Sequence, residues 1–382
     1  MIQLLESAPK RVFFTGATGG VGSSLLFELL SQGFHITCLV RPQKGMSGYD
    51  RLKGQLGVIP QNLSIVEGDV TLPLCGIPSH DRERLKGNID LILHGAGEIG
   101  FDERNAEKTY RVNHGGTVNV LGLAHFLDVQ DFRHISTAYV AGDSKVFKEG
   151  DLRVGQFLRN PYEESKCLAE EEIHYWAAKG GKNYMIFRPS IVVGSSETGI
   201  TTTFDAYYGF LYFLYRMWKK WVETTRLFSL PLYIDCSTSS TLNLVTSNWS
   251  NKLMAQLLKC SPDGKTYHIV DETPKPILWV TSESLKYLGI TGVHLGKQNP
   301  LDSDDAKKVQ GRFDRFIGRP FGPYIVHEAR FLTGNARATL GKHYAEAPEI
   351  TGELLQRLLA FAQKKWDQEI LLTTETMSAE VA

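Results

Sequence analysis

Eight residues near the start of the chain restrict its fold more than any other stretch: Thr15-Gly16-Ala17-Thr18-Gly19-Gly20-Val21-Gly22. The apolar run Val12–Phe14 before them reads as a buried strand, and from Gly22 to Ser31 apolar residues recur at helical spacing. Glycines spaced G-x-x-G-x-x-G at a strand-to-helix turn let the backbone bend sharply and let a pyrophosphate approach the amides. The helix that follows presents unpaired N–H groups and a partial positive charge. A dinucleotide phosphate is the expected ligand, with Thr15, Gly16, Thr18, Gly19, Gly20, Val21 and Gly22 as its contacts.

The same strand–helix rhythm continues through the first half. Val12–Thr15, Ile36–Val40, Ser64–Val66, Asp90–His94, Phe132–Thr137 and Tyr184–Arg188 read as strands, with helical patterns such as Thr117–Leu127 between them. Each parallel strand pair needs a covering crossover, so the expected fold is α/β, a Rossmann-type doubly wound parallel sheet. After Gly199 the rhythm breaks. A NADP-binding domain is expected over 1–195, and over 196–382 a smaller, mostly helical substrate-binding region with some strands returning to the core. Leu232–Ile234 and Thr266–Val270 read there as strands, and Asn251–Lys259 and Ile350–Trp366 as helices.

The totals exclude several classes. The 42 basic residues balance 42 acidic ones, so no global field favours nucleic acid. Five scattered cysteines with no C-x-x-C pair argue against a metal site and for reduced thiols. The opening MIQLLESAPK is too short in apolar residues for a secretory leader, and no uncharged run is long enough to span a bilayer. A cytoplasmic location is expected.

The end of the second strand selects the cofactor. An acid there binds the ribose 2′-hydroxyl and repels a 2′-phosphate, but this strand ends Leu39-Val40-Arg41-Pro42. The Arg41 fork suits a phosphate, so NADPH is the expected cofactor. Asp69 and Val70 after the third strand are placed toward the adenine. Gly95, Ala96 and Gly97 after the fourth line the cofactor where side chains do not fit.

The chemistry is expected from Tyr162-Glu163-Glu164-Ser165-Lys166. Four-residue spacing puts tyrosine and lysine on one helix face, where an ammonium lowers the phenol pKa from about 10 toward neutrality. Lys166 can also hold the nicotinamide ribose. Upstream, His134-Ile135-Ser136-Thr137-Ala138-Tyr139-Val140-Ala141-Gly142 places a hydroxyl at a strand end, where it can bond a substrate oxygen as charge develops. Thr137 is the expected direct donor and Ser136 its neighbour and substitute.

Taken together, TGATGGVG, ISTAYV, YEESK and FRPSIVVG resemble the extended short-chain dehydrogenase/reductases. By that resemblance Asn113, in Asn113-His114-Gly115-Gly116-Thr117, is a structural and cofactor-side residue, and Arg188, Pro189, Ser190 and Ile191 border the cofactor. HGAGEIGF (residues 94–101), the Ser136–Val140 strand end and the stretch from Phe187 to Gly199 are similar to the thioester reductase and fatty acyl reductase branch, called male-sterility-like. Ser195 departs from that pattern, standing where aspartate is common. The resemblance implies NADPH-dependent reduction of an acyl thioester, carried on coenzyme A or a separate carrier protein, to aldehyde or alcohol. The same residues would also serve reduction of a ketone or aldehyde, or oxidation of an alcohol. A non-catalytic NADP-binding protein is the reading from another class.

One stretch stands apart from these motifs. Between Phe204 and Trp221 the chain reads FDAYYGFLYFLYRMWKKW. An aromatic helix of this kind serves as a buried core element, a wall for an acyl chain, or a peripheral membrane contact through Tyr207–Trp221.

Overall fold

A computed structural model gives the conformation of residues 10–379, so the leader reading, which rests on the first nine residues, lies outside the described residues. The first of two compact units takes the chain up to Ser190, then Asn248–Glu272 and Ala329–Ala347. Its sheet consists of β1 (Arg11–Thr15), β2 (His35–Val40), β3 (Leu63–Glu67), β4 (Leu91–His94), β5 (Asp131–Ile135), β6 (Asn183–Pro189) and β7 (Lys265–Ile269). The spatial order is β7-β6-β5-β4-β1-β2-β3, with every neighbouring pair parallel. Parallel strands are covered on both faces and so read as unbroken apolar runs; Val12, Phe13 and Phe14 of β1 are all fully buried. This is the Rossmann-type α/β sheet that the rhythm of the sequence anticipates.

Strand order reverses between β1 and β4, and in such sheets ligands sit beyond the carboxyl ends of the strands at that switch point. Thr15 and His94 are direct register partners there. Three helices follow the turns at this edge: α1 (Gly20–Ser31) begins after the β1 turn, and α2 (Gly116–Leu127) and α3 (Pro161–Gly180) bring the Thr117 and Lys166 side chains to the ends of β4 and β5.

The second unit takes Ile191–Ser247, Thr273–Glu328 and the chain from Pro348. A single cut near residue 195 therefore gives way to discontinuous units. The chain returns to the first unit because β7 has an open parallel edge to fill beside β6. In the second unit the strand Ser229–Asp235 pairs in parallel with Thr291–Gly296, and helix Gly352–Ala379 extends well past Trp366.

The aromatic stretch forms α4 (Tyr207–Thr225). Tyr207, Tyr208, Phe210, Leu211, Leu214, Tyr215 and Met217 are buried in the core of the second unit with Trp366. The tyrosine hydroxyls find partners inside: Tyr207 with Ser284 Oγ at 2.8 Å, Tyr208 with the Gly194 amide at 3.1 Å and Tyr215 with Asp367 at 2.9 Å. Each large apolar side chain buried here stabilises the second unit by roughly 1.5–3 kcal/mol relative to exposure to water. The inward face of this helix is core, and nothing in these contacts supports a membrane contact through Tyr207–Trp221. Among the described residues no helix is long and apolar enough to cross a membrane. All five cysteines are buried free thiols.

Candidate active site

The phosphate turn is held by contacts that only glycine permits. Gly16 has φ +87°, and a Cβ on it would overlap the backbone of Gly95 and Ala96; one on Gly22 would overlap the Gly16 carbonyl. The two turns that line the switch point are thus in backbone contact. The Gly19 amide donates to the Gly16 carbonyl at 2.9 Å, which closes the turn before α1 begins. No side chain caps α1 and its first turn carries no acid, so no side-chain charge opposes the positive end of its dipole. These residues fit a dinucleotide pyrophosphate: the glycine cradle is one a Cβ would fill, and the donors are those an anion requires.

The cofactor-selecting corner holds more than the sequence disclosed. Arg41 is exposed and pairs with Asp69 at 3.3 Å. Arg51, on the helix Gly48–Leu56 that Ser47 caps, donates Nη1 to the Arg41 carbonyl at 2.5 Å and Nη2 to Thr18 Oγ1 at 3.3 Å. A second guanidinium, that of Arg51, therefore stands at this corner between the Arg41 backbone and Thr18. Burial works against the Asp69 carboxylate, but hydrogen bonds from the Thr71 amide and hydroxyl, with Arg41, outweigh it and hold its pKa below the usual range. The Val70 carbonyl accepts from Asn119 at 2.8 Å, which fastens this loop to α2.

The opening of α3 is rigid for a sequence reason. Asn160 caps the Glu163 amide at 3.1 Å, Pro161 occupies the first turn, and Glu163 reaches back to the Arg159 amide at 2.8 Å. Glu163 also forms a buried ion pair with Arg159 at 2.8 Å. Tyr162 sits inside this clasp, its ring meeting Phe101 edge-on at 5.8 Å. One turn on, Lys166 is buried and donates Nζ to the Ile135 carbonyl at 2.9 Å, next to the strand end. Thr137 leaves β5 to cap the short turn Ala138–Ala141, which packs against α3.

Asn113 completes the cluster from a π turn, Arg111–Gly115. Its side chain accepts from the Glu98 amide at 2.7 Å and donates to the Glu98 carbonyl at 3.0 Å and to Ser165 Oγ at 2.9 Å. A Cβ added at Gly97 would lie 3.3 Å from both Lys166 Nζ and Asn113 Oδ1. Thr137, Tyr162, Lys166, Asn113 and the Gly95–Gly97 turn are thus brought to one edge of the sheet. Burial pushes the Lys166 ammonium down to about 8, with Glu170 pulling the other way.

Two expectations change. Ser136 is not a spare proton donor: its hydroxyl is buried and given to Glu170 Oε1 at 2.5 Å. Arg188 does not reach toward a cofactor. Its guanidinium is buried in an ion pair with Glu170 at 2.7 Å and donates to the Asp151 carbonyl at 2.8 Å. The i+4 repeat Tyr162–Lys166–Glu170 was the signal that could have found Glu170. Pro189 ends β6, the Ser190 amide is taken by Ile269 at 3.1 Å, and Ile191 opens a strand of the second unit.

A parallel sheet with a glycine cradle at its switch point and a tyrosine, lysine and threonine at the same edge is the pattern of the extended short-chain dehydrogenase/reductase class. Residues 14–227 match the NAD-binding family model described as male sterility protein. The chain belongs to that family, in the thioester reductase and fatty acyl reductase branch. It is 26% identical over 239 residues to fatty acyl-CoA reductase wat of Drosophila melanogaster, a match covering 52% of this chain and 46% of that protein. To the NRPS-like oxidoreductase fscA of Fusarium equiseti it is 26% identical over 287 residues, 72% of this chain and 26% of the other. The chain thus spans less than half the length of these relatives. Its fold is similar to the crystal structure of the terminal R domain from the myxalamid PKS-NRPS biosynthetic pathway, with a TM-score of 0.73, 22% identity and coverage of 94% of this chain and 92% of that one. The cofactor class is a nicotinamide dinucleotide.

Proposed function

We propose that this protein reduces the thioester carbonyl of an acyl group carried on coenzyme A or a carrier protein, with NADPH as reductant. The observation that carries it is the Lys166 ammonium fixed at the Ile135 carbonyl, one helical turn from Tyr162 and two residues from Thr137. The names of the relatives, an acyl-CoA reductase and an NRPS-like oxidoreductase, favour a thioester over a free ketone. Thr15, the Gly16–Gly22 turn, Asp69, Val70 and Gly95–Gly97 would hold the dinucleotide, and Lys166 its nicotinamide ribose.

When bound, the reduced nicotinamide supplies a hydride to the carbonyl carbon. The Thr137 and Tyr162 hydroxyls stabilise the oxygen as it becomes anionic, and Tyr162 gives it a proton. Lys166 keeps the phenol acidic. The hemithioacetal so formed then breaks its C–S bond, leaving thiol and aldehyde. A panel of acyl-CoA, acyl carrier protein, long-chain aldehydes and ketones, followed by NADPH absorbance, tests the reading; turnover of ketones alone overturns it.

The 2′-phosphate corner makes a separate prediction. Arg41 and Arg51 together would clamp the phosphate, and the exposed Arg41–Asp69 pair, worth about 0–1 kcal/mol, is too weak to withhold Arg41. Arg41→Asp therefore raises the Kd for NADPH by roughly 100-fold while changing that for NADH by less than about threefold. Arg51→Ala costs NADPH about tenfold. Equal losses for both cofactors in calorimetric titrations would remove these roles.

The buried lysine predicts the pH profile. Its folded pKa is lowered to about 8, so the protonated form that supports Tyr162 is present below that pH and lost as pH rises through it. kcat/KM, which reports the free enzyme, falls on the alkaline side with a midpoint near 8. Lys166→Arg stays charged and moves that limb to higher pH, at a reduced plateau. An alkaline limb that Lys166→Arg leaves in place assigns it to another group.

A further inference from the structure

His94 ends β4 with its ring fully buried, and both of its nitrogens are engaged. Nδ1 lies 2.7 Å from Thr15 Oγ1 and Nε2 lies 3.1 Å from Thr117 Oγ1. The neighbours of these two hydroxyls settle which way every proton points. Thr117 Oγ1 donates to the Asn113 carbonyl at 2.6 Å, so its only proton is spent and it must accept from His94. Nε2 therefore carries the hydrogen. On the other side Thr15 Oγ1 already accepts from the Ala96 amide at 3.3 Å. It is free to donate, and a bare Nδ1 is the acceptor it needs.

The result is one directed chain: Ala96 N–H to Thr15 O–H to His94 Nδ1, then His94 Nε2–H to Thr117 O–H to the Asn113 carbonyl. An imidazolium breaks it, because Nδ1–H would face the Thr15 oxygen and strand the threonine proton in a buried site. Burial and the Lys166 ammonium act in the same direction, lowering the His94 pKa to about 3.

The two ends of this chain are the two halves of the site. Thr15 begins the phosphate turn, and Ala96 belongs to the turn packed against Gly16. Asn113 bonds Glu98 and Ser165, and Ser165 donates to the Tyr162 carbonyl at 3.1 Å. Asn113 also sits in a π turn, where the regular helical ladder is interrupted and side-chain hydroxyls take over part of the backbone pairing.

We propose that His94 is a positioning residue: as the neutral Nε2–H tautomer it couples the phosphate turn to the Asn113 turn, so one imidazole sets both dinucleotide affinity and the alignment of Tyr162 and Lys166. It touches neither substrate nor cofactor. The inference rests on reading the crevice as a nicotinamide dinucleotide site, but not on the thioester, since half of its test is cofactor binding alone.

Substitutions can cut the chain on one side at a time. An asparagine amide occupies the place of Nδ1 and still faces Thr15; a glutamine amide reaches the place of Nε2 and still donates to Thr117. NADPH Kd is measured by calorimetric titration of each purified full-length variant, and kcat with whichever carbonyl substrate the wild type turns over. His94→Gln is expected to weaken NADPH binding about tenfold with kcat within about threefold, and His94→Asn to lower kcat about tenfold with Kd within about threefold. His94→Phe, which keeps the volume and removes both bonds, should lose both. If His94→Phe does not fold, the opposed pattern of the two amide variants decides alone. A merely structural histidine predicts no such crossing: thermal stability falls while Kd and kcat stay put, or both move in proportion in every variant. Either result overturns the proposal. If the wild type binds NADPH but reduces no thioester, the functional reading fails while the Kd half of this test still stands.

Discussion

Replacing Tyr162 with phenylalanine lowers kcat by about 10³-fold while leaving NADPH affinity within about threefold of wild type. The split follows from what the substitution spares. The ring stays, with its edge contact to Phe101 at 5.8 Å. The start of α3 stays, because it is held by Asn160, Pro161 and the Arg159–Glu163 pair rather than by the phenol. The Lys166–Ile135 bond and the phosphate turn are likewise untouched. The proton donor is removed, and general acid catalysis contributes about 10²–10⁴-fold when correctly placed. Water can deliver a proton in its stead, and Thr137 still offers a hydrogen bond to the oxygen. Thr137→Val in the Tyr162→Phe background therefore adds less than it costs alone, as groups acting on one atom do. Steady-state kinetics paired with calorimetric NADPH titration test the split. A kcat reduced less than about tenfold would take the phenol out of the mechanism.

The fold was legible because parallel strands buried on both faces leave a strong mark: short apolar runs, each ended by a turn. Strands from β1 to β6 were anticipated within two residues or so at each end. The largest overrun is instructive. The run Phe132–Thr137 reads as a continuous strand, but β5 stops at Ile135 because Thr137 turns its hydroxyl to cap the next turn. The residue of most chemical interest is thus the one that leaves the sheet. Helix spacing located Tyr162 and Lys166 together, since a four-residue repeat fixes a shared face whatever the tertiary context.

What stayed hidden depends on partners far away in sequence. Arg188 resembled a cofactor residue by its motif, and nothing local says that Glu170 and the Asp151 carbonyl claim its guanidinium. Ser136 and Thr137 differ only in which way successive residues point at a strand end, and nothing local says that Glu170 takes the Ser136 hydroxyl. Arg51 enters the cofactor corner from a helix after Ser47, ten residues past Arg41. The aromatic density of α4 left its inward face undecided until the tyrosine hydroxyls found buried partners. Segments returning to the first unit carry no composition shift, and the two- and three-residue strands of the second unit are too short to show a period.

Glu170→Gln is expected to lower stability by about 3–5 kcal/mol although it leaves side-chain volume intact. Glu170 and Arg188 are both essentially without solvent exposure. One carboxylate answers Arg188 Nε at 3.0 Å, Arg188 Nη2 at 2.7 Å and Ser136 Oγ at 2.5 Å. Glutamine keeps the shape but leaves a guanidinium in the interior without its counter-charge, and presents an N–H₂ where an acceptor is needed. The cation–π contact of Arg188 with Phe147, at 5.2 Å, and its carbonyl partners cannot replace a full negative charge. The double change Glu170→Leu with Arg188→Met separates charge from packing: an apolar pair of similar size is often as stable as a buried ion pair, so more than half of the loss should return. The residue left short is Ser136, worth about 1 kcal/mol as one unmade hydrogen bond. Because Ser136 adjoins Thr137, and Glu170 lies one turn beyond Lys166 on α3, the single variant should lose activity along with stability. The double variant should recover stability more fully than turnover. Urea unfolding followed by circular dichroism supplies the first comparison and kcat the second. A Glu170→Gln protein within about 1 kcal/mol of wild type would mean that the Arg188 charge is screened by water in solution, and that this pair does not hold the strand end in place.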